Sequence, residues 1–394
     1  MISVNEAKYI IEDNGTELLP VMMPLQQAAG LVLARTVYAI ADIPPFNQSS
    51  MDGYAFCFRE WEKKQSLTIK GEVAAGLTTS VFPNAYEAVR IFTGAAVPSY
   101  MDTVVMQEKV ITDNNQLIIE DKSIKEGCNV RVKGSDIKAG SNALAEGSKL
   151  NPASIGFLAS MGITEVCVYP YPKIKIVITG NELIQPGGIL QHGQVYESNS
   201  FALKAVLQQM HLTDVSVLYV KDDPDELKQV LENALENCDI LLITGGVSVG
   251  EYDFVAKALA NCGVTTLLHT IKQKPGKPLF VGKRKKQLIF GLPGNPSSVL
   301  TCFYEYTIPA IERMMQLTTS CIQKKILPLT VAINKKIGFT HFLKAWATFD
   351  KVTPLGAQES YRLSSFATAN CLICLEEDKT EYLAGDLVEV HLFP

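Results

Sequence analysis

Cys238-Asp239-Ile240-Leu241-Leu242-Ile243-Thr244-Gly245-Gly246-Val247-Ser248-Val249-Gly250-Glu251-Tyr252-Asp253 is the stretch whose reading decides the fold. Residues 240–243 form an unbroken apolar run that stops at a glycine pair, the pattern of a parallel strand buried on both faces. Gly245, Gly246 and Gly250 then make a loop whose backbone can approach a ligand closely, with free N–H groups suited to an anion at the start of the next helix. The loop has neither the Lys-Ser/Thr ending of a P-loop nor the spacing of a dinucleotide fingerprint, so neither an ordinary NTPase nor a dehydrogenase follows from it. Glu251 and Asp253 follow instead. Carboxylates beside a phosphate repel it unless a divalent cation lies between them, so loop and acids together point to a metal-bridged phosphoanhydride. Taken alone, a plain strand-to-helix turn with acids at the positive end of a helix dipole accounts for the same residues about equally well.

Outward from this loop, strand-like and helix-like segments alternate between residues 173 and 317. Strands are expected at 174–179, 215–220, 240–244, 265–271 and 287–291, with helices between them, one capped by Asp223 with Pro224 in its first turn. The expected fold class is a multidomain α/β protein built on a doubly wound, mainly parallel sheet, whose ligands bind beyond the carboxyl ends of the strands. Toward the N-terminus, Ser3 to Glu6 has the capping-box form and predicts a helix, and a second helix is expected over residues 25–34. Residues 43–53 carry Pro44, Pro45 and a polar cluster and can be neither helix nor central strand. Beyond them short β runs at 67–72, 88–92, 103–110, 116–120 and 129–132 alternate with Gly and Pro. Residues 152–161 return to helix and are expected to pack with the N-terminal helices, which makes the β-rich domain an insertion. After residue 318, β runs at 327–333, 342–349, 371–375 and 387–392 predict a small C-terminal β-barrel or sandwich. The expected domains are a helical linker at 1–42 and 139–168, an inserted β-rich domain at 43–138, an α/β domain at 169–318 and a β-barrel domain at 319–394.

Composition narrows the function classes. A chain of 394 residues is too long for one compact core and implies roughly two to four domains. It is 47% hydrophobic and 20% charged, with net charge −5, which argues against nucleic acid as the main partner. Nine scattered cysteines suit a reducing compartment, and the Cys371/Cys374 pair, set among Leu372, Ile373 and Leu375, reads as buried thiols in a strand. The five histidines show no metal-ligand spacing. No stretch reaches the ~18 apolar residues of a membrane helix, and residues 1–12 have no leader pattern, so a cytoplasmic location is expected.

Acids stand at several expected strand ends: Glu182 in Thr179-Gly180-Asn181-Glu182, Asp222 with Asp223, and Asp253. Three carboxylates from separate strand ends suit Mg²⁺, which prefers a few carboxylates with phosphate and water oxygens; one alone would be a cap. Lys272-Gln273-Lys274-Pro275-Gly276-Lys277-Pro278 joins prolines that stiffen the backbone to lysines that supply point charges for an oxyanion, although a solvated basic turn has the same composition. Gly291-Leu292-Pro293-Gly294-Asn295-Pro296-Ser297-Ser298 then opens a helix and offers N–H groups and hydroxyls to the same region.

With these motifs in this order, over essentially its whole length, the chain resembles the MoeA and gephyrin E-domain family, the molybdopterin molybdenumtransferases. The resemblance also rests on Ser50-Met51-Asp52-Gly53-Tyr54-Ala55, Arg90-Ile91-Phe92-Thr93-Gly94, Val130-Arg131 with Gly134 and Asp136, and Tyr196 with Ser198-Asn199-Ser200. It implies an elongated homodimer of four domains, with a MogA-like molybdopterin-binding α/β domain and dimerisation through the linker domain. It implies Mg²⁺-assisted insertion of molybdate into adenylylated molybdopterin with release of AMP. By motif matching, Gly245, Gly246, Ser248 and Gly250 would hold the pterin phosphate and AMP portion with help from Asn199 and Ser200. Glu182, Asp222 and Asp253 would hold or orient the metal. Lys274 and Lys277 with Ser298 would receive molybdate, joined by Lys344 and Ser360. Asp52, Thr93, Arg131 and Asp136 would face the α/β domain of the partner subunit. Family members often have Lys where Thr270 stands, Arg where Lys344 stands, and Gln-Gly-Ser where Gln358-Glu359-Ser360 stands; Lys272 is a candidate substitute for the first. The adenylyltransferase and molybdoenzyme apoproteins are implied as protein partners. A molybdopterin adenylyltransferase and a dimeric partner-binding scaffold of the gephyrin type are the alternatives. The flanking domains disfavour the first, and the retained acids and lysines disfavour the second.

Overall fold

The computed structural model describes residues 1–76, 83–246 and 254–394, which divide into two compact units, Met22–Val168 and Met1–Val21 with Tyr169–Pro394. In the unit Met22–Val168 a six-stranded sheet runs Thr103–Met106, Gly53–Phe56, Glu87–Ile91, Leu67–Val73, Gln116–Ile119, Val110–Asp113 from edge to edge. Leu67–Val73 and Glu87–Ile91 pair in parallel and their neighbours antiparallel. Because side chains alternate along a strand, Ala55, Val89, Ile91 and Val104 enter one apolar cluster while Tyr54, Phe56, Ala88 and Val105 enter another. Both faces are thereby covered, and Gly53–Phe56 is buried along its length.

Residues 25–34, expected as a helix, are instead a 3₁₀ turn, Leu25–Gln27, followed by the strand Val32–Leu33. Leu31, Val32 and Leu33 are consecutive and fully buried, whereas an amphipathic helix buries residues three or four apart. The helix Pro152–Ser160, capped by Asn151, packs on that turn. The N-terminal helix Val4–Asn14 belongs to the other unit and packs on Ile308–Met314, which corrects the expectation of a core shared with residues 152–161. Its capping box forms as read: Glu6 N–H donates to Ser3 Oγ at 3.2 Å, and Ser3 N–H to Glu6 Oε2 at 2.7 Å.

In that second unit, strands Val215–Val220, Ile174–Thr179, Ile240–Thr244 and Gln287–Leu292 are parallel and adjacent in this order. Pro278–Arg284 then adds antiparallel to Gln287–Leu292, and Thr265–Thr270 antiparallel to Pro278–Arg284. Pro278–Arg284 was absent from the sequence reading, whose lysine–proline motif ends at its first residue. Asp223 caps Pro224–Glu236 as expected, its side chain accepting from the N–H groups of Asp225 and Glu226. Leu227 and Leu231 of that helix, Leu259 of the helix Phe254–Asn261, and Leu241, Ile243 and Ile289 of the sheet belong to one apolar core.

The C-terminal residues form a second sheet in the order Gln273–Lys274, Thr340–Ala347, Cys371–Leu375, Leu387–Leu392, Gln323–Pro328. Cys371 is fully buried in it, and burial pushes its thiol and that of Cys374 up to about 12, as inert structural cysteines require. A polar network lies where the N-terminal helix, the π-helical turn Phe303–Thr307 and this sheet meet. Lys8 Nζ donates to Glu305 Oε2 at 2.6 Å, while His391 lies 2.6 Å from Glu305 Oε1 and 2.6 Å from Glu389 Oε1. Burial alone would raise the Glu305 carboxyl, but the Lys8 charge and the His391 hydrogen bond hold it down at about 2. No helix among the described residues is long and apolar enough to cross a membrane.

Candidate functional site

Three parallel strands, Ile174–Thr179, Ile240–Thr244 and Gln287–Leu292, end at the same edge of the sheet, and a cavity of about 500 Å³ opens there. Its wall includes Glu182, Glu197, Asn199, Thr244, Gly245 and Gly294. Gly245 has φ +87°, and a Cβ on it would lie 2.0 Å from the Thr179 carbonyl oxygen, so only glycine lets the chain turn this close to the neighbouring strand end. Asp222, on the adjoining strand end, accepts from Thr179 Oγ1 at 2.5 Å and from Asn181 N–H at 3.2 Å. Ser248, Gly250, Glu251 and Asp253 lie outside the described residues, so the trio Glu182, Asp222 and Asp253 is seen only through its first two members. Among the described residues no three acids, histidines or cysteines converge as a metal site.

At the start of the helix Asn199–Gln209, Asn199 and Ser200 are buried. Ser200 donates its hydroxyl to Glu197 Oε2 at 2.5 Å and its N–H to Glu197 Oε1 at 2.8 Å. Glu197, 2% exposed, escaped the sequence reading; its only signal was an acid three residues before a serine at a helix start. Asn199 Nδ2 donates to the Gly294 carbonyl at 3.0 Å. Two buried oxygens of the cavity wall, Asn199 Oδ1 and Thr244 Oγ1, have no hydrogen-bond partner among the described residues. Buried polar atoms are nearly always paired, and both of these belong to residues of the same cavity wall.

The lysine–proline loop stitches the two sheets of this unit together, Gln273–Lys274 pairing with Thr340–Ala347 and Pro278–Arg284 entering the α/β sheet. Gln273, also unforeseen, braces the loop from inside. Its Nε2 donates to the Pro275 carbonyl at 2.9 Å and the Gly276 carbonyl at 3.2 Å, and its Oε1 accepts from Tyr306. Gly276 has φ +87°, and a Cβ there would meet Cys302 Sγ at 2.5 Å. Lys274 and Lys277 are exposed, Lys274 lying 5.4 Å from the Phe339 ring centre. Lys272 does not continue the strand, which ends at Thr270. It is bound to Glu377 at 2.8 Å, a hydrogen bond that raises its pKa above the ordinary lysine value.

Ser298 is buried in the first turn of Pro296–Cys302, and the segment bearing Ser360 docks on that turn. Ser297 N–H donates to the Ser360 carbonyl at 3.1 Å, and Asn295 Nδ2 to Ser360 Oγ at 3.0 Å. Lys344, matched to an anion-binding arginine, is placed differently from that expectation. It is 1% exposed, and its ammonium donates to the carbonyls of Ala357 at 2.8 Å, Glu359 at 3.3 Å and Arg362 at 3.1 Å. An ammonium has three protons, so these carbonyls occupy its donors, and burial lowers its pKa. Lys344 shapes the segment that carries Ser360. The Glu359 carboxylate turns to Arg362, 3.2 Å away.

In the other unit, Thr93 donates its N–H and its hydroxyl to Asp52 Oδ1, both at 2.8 Å, and these bonds lower the Asp52 carboxyl below its ordinary value. Arg131 pairs with Gln48 across a short ladder, Gly94 N–H donates to the Ser49 carbonyl, and Asp136 N–H to the Ile43 carbonyl. Residues 43–53 are thus clipped to both 93–95 and 130–137, bringing the backbones of Asp52, Thr93, Arg131 and Asp136 onto connected loops, with the Asp52, Arg131 and Asp136 side chains exposed.

A doubly wound domain with a cavity at its strand ends, carried with β domains on either side in sequence, defines a multidomain α/β protein. Residues 2–162 match the MoeA N-terminal region (domain I and II), residues 175–313 a probable molybdopterin binding domain, and residues 327–393 the MoeA C-terminal region (domain IV). The molybdopterin molybdenumtransferase of Haemophilus influenzae is 33% identical over 379 residues, covering 94% of this chain and 93% of its own. That of Synechocystis is 32% identical over 390 residues, covering 98% of both. The structure of a molybdopterin biosynthesis MoeA protein from Pyrococcus horikoshii superimposes with a TM-score of 0.85 at 28% identity, over 100% of this chain and 99% of that one. The chain belongs to the MoeA family.

Proposed function

We propose that this chain is a molybdopterin molybdenumtransferase of molybdenum cofactor biosynthesis. It transfers molybdenum from molybdate to adenylylated molybdopterin, cleaving the phosphoanhydride and releasing AMP. The observation that carries this reading is the cavity at the strand ends with its unpartnered Asn199 Oδ1 and Thr244 Oγ1 beside the Gly245-Gly246 turn; its support is the full-length likeness to relatives bearing that name.

The side chains have distinct tasks. Residues 245–250 receive phosphate, the turn at Gly245 bringing backbone N–H groups close to it. Glu182 and Asp222, with Asp253, supply the hard carboxylate oxygens that suit Mg²⁺, and that ion would offset charge on the phosphate oxygens. Lys274 and Lys277 are exposed cations that hold the molybdate oxyanion near Ser298 and Ser360, on a loop stiffened by Gln273 and on a segment fixed by Lys344. Ser200 anchors the helix start through Glu197. The enzyme acts in the cytoplasm as a homodimer in which Asp52, Thr93, Arg131 and Asp136 complete the partner subunit's site. The adenylyltransferase and molybdoenzyme apoproteins are its protein partners. Incubation with adenylylated molybdopterin should release AMP only when molybdate is added. Molybdate-independent release, or none under any divalent cation, would refute the assignment.

A further inference from the structure

The start of Asn199–Gln209 contributes polar groups of fixed hydrogen-bonding sense to the wall of the cavity at the strand ends. Ser200 has no hydrogen left for a ligand, because its hydroxyl is directed at Glu197 Oε2 and its N–H at Glu197 Oε1. The Glu197 carboxylate therefore occupies the helix N-terminus that would otherwise attract a phosphate. Asn199 is fixed in a complementary sense. Its Nδ2 lies 3.0 Å from the Gly294 carbonyl, which can only accept, so turning the amide over would set two acceptors against each other. What remains is Oδ1, buried in the cavity wall and without a donor among the described residues. Leaving a buried acceptor unsatisfied is costly, and a ligand that supplies the donor removes that cost.

We propose that Asn199 is a specificity-determining residue whose Oδ1 accepts a hydrogen bond from an N–H or O–H of the organic part of the substrate, a ring N–H, an amine or a hydroxyl. The inference rests on the molybdopterin reading and deepens it by orienting the ligand. An ionised phosphate offers only acceptors and is repelled by Asn199 Oδ1 and Glu197 together. It belongs instead with the Gly245-Gly246 turn, where the buried Thr244 hydroxyl, adjoining Gly245, has a proton to donate.

Calorimetric titration of wild type, Asn199→Ala and Asn199→Leu with molybdopterin, AMP and inorganic pyrophosphate tests the assignment. Asn199→Ala should weaken molybdopterin or AMP by about tenfold, equivalent to about 1.4 kcal/mol, and leave pyrophosphate within about twofold. Asn199→Leu, which keeps the shape of the side chain without its polar atoms, should show the same selective loss. An equal loss of pyrophosphate in these variants, or no loss of any ligand, would overturn the proposal. If Asn199→Ala does not fold, the selective loss must be seen in Asn199→Leu. These failures in a wild-type protein that turns over adenylylated molybdopterin would refute the role of Asn199 alone. A wild-type protein that binds neither organic ligand would refute the molybdopterin reading beneath it.

Discussion

Gly245→Ala should damage the site and the sheet together, and the structure sets the scale. The added methyl would lie 2.0 Å from the Thr179 carbonyl oxygen, whereas real Cβ atoms essentially never come closer than 3.0 Å, so the ends of Ile174–Thr179 and Ile240–Thr244 must part by about 1 Å. The left-handed backbone at φ +87° costs a non-glycine residue about 1–2 kcal/mol, and relieving an overpacked contact typically costs a further 1–3 kcal/mol. The total, about 2–5 kcal/mol, corresponds to a fall of about 1–2 M in the urea midpoint at a slope of roughly 2–3 kcal/mol per M. Thr179 moves with its carbonyl, and its 2.5 Å hydrogen bond to Asp222 should be lost, so turnover should fall by more than stability alone explains. Urea unfolding, hydrogen exchange of residues 174–179 and 240–244, and AMP release report the three effects separately. Gly294→Ala is the control for stability, since a Cβ there has nothing within 4 Å. The reasoning fails if Gly245→Ala unfolds at the wild-type midpoint with unchanged exchange in both strands.

Glu305 predicts an acid limb in the stability profile. Its carboxyl is depressed from 4.5 to about 2, so its contribution is fully present above pH 4.5 and disappears as pH falls toward 2, amounting to about 3 kcal/mol. Glu305→Gln should lose that stability at neutral pH and flatten the profile between pH 4.5 and 2; a variant with the wild-type profile would show that Lys8 and His391 do not stabilise this carboxylate. Lys344→Met should leave the carbonyls of Ala357, Glu359 and Arg362 without their donor, costing about 2–3 kcal/mol. Proteolysis within 357–362 should quicken and the molybdate needed for half-maximal turnover should rise, whereas a protease-resistant segment with unchanged affinity would count against the bracing role. Mixed dimers of an Asp52→Ala chain and an Asp253→Asn chain should regain activity that neither parent has, because one of the two shared sites is intact. Complete inactivity after verified subunit exchange would place both residues in one chain's site.

Periodicity is a local property, and where it was strong the residues alone were enough. The apolar run ending at Gly245 placed the strand Ile240–Thr244, the S-x-x-E pattern placed the first helix, and the order of short motifs pointed to the family that the whole-length comparisons establish. Weak or misleading periodicity failed at residues 25–34, where consecutive buried residues belong to a short strand, and at Pro278–Arg284, hidden behind a proline-rich loop. Local caps such as Ser3 with Glu6 were legible, but hydrogen bonds between residues distant along the chain were beyond the sequence. Lys344 looks like an anion ligand by its charge, yet three carbonyls between residues 357 and 362 surround it. Ser200 looks like a free donor, yet its hydroxyl already donates to Glu197, and Asn199 acquires a defined polarity only from the carbonyl of Gly294, ninety-five residues away. The residues determined the folding pattern and the chemistry on offer; tertiary packing decided which of those groups remain free to act, since burial pairs most polar atoms with one another and so removes them from contact with a ligand.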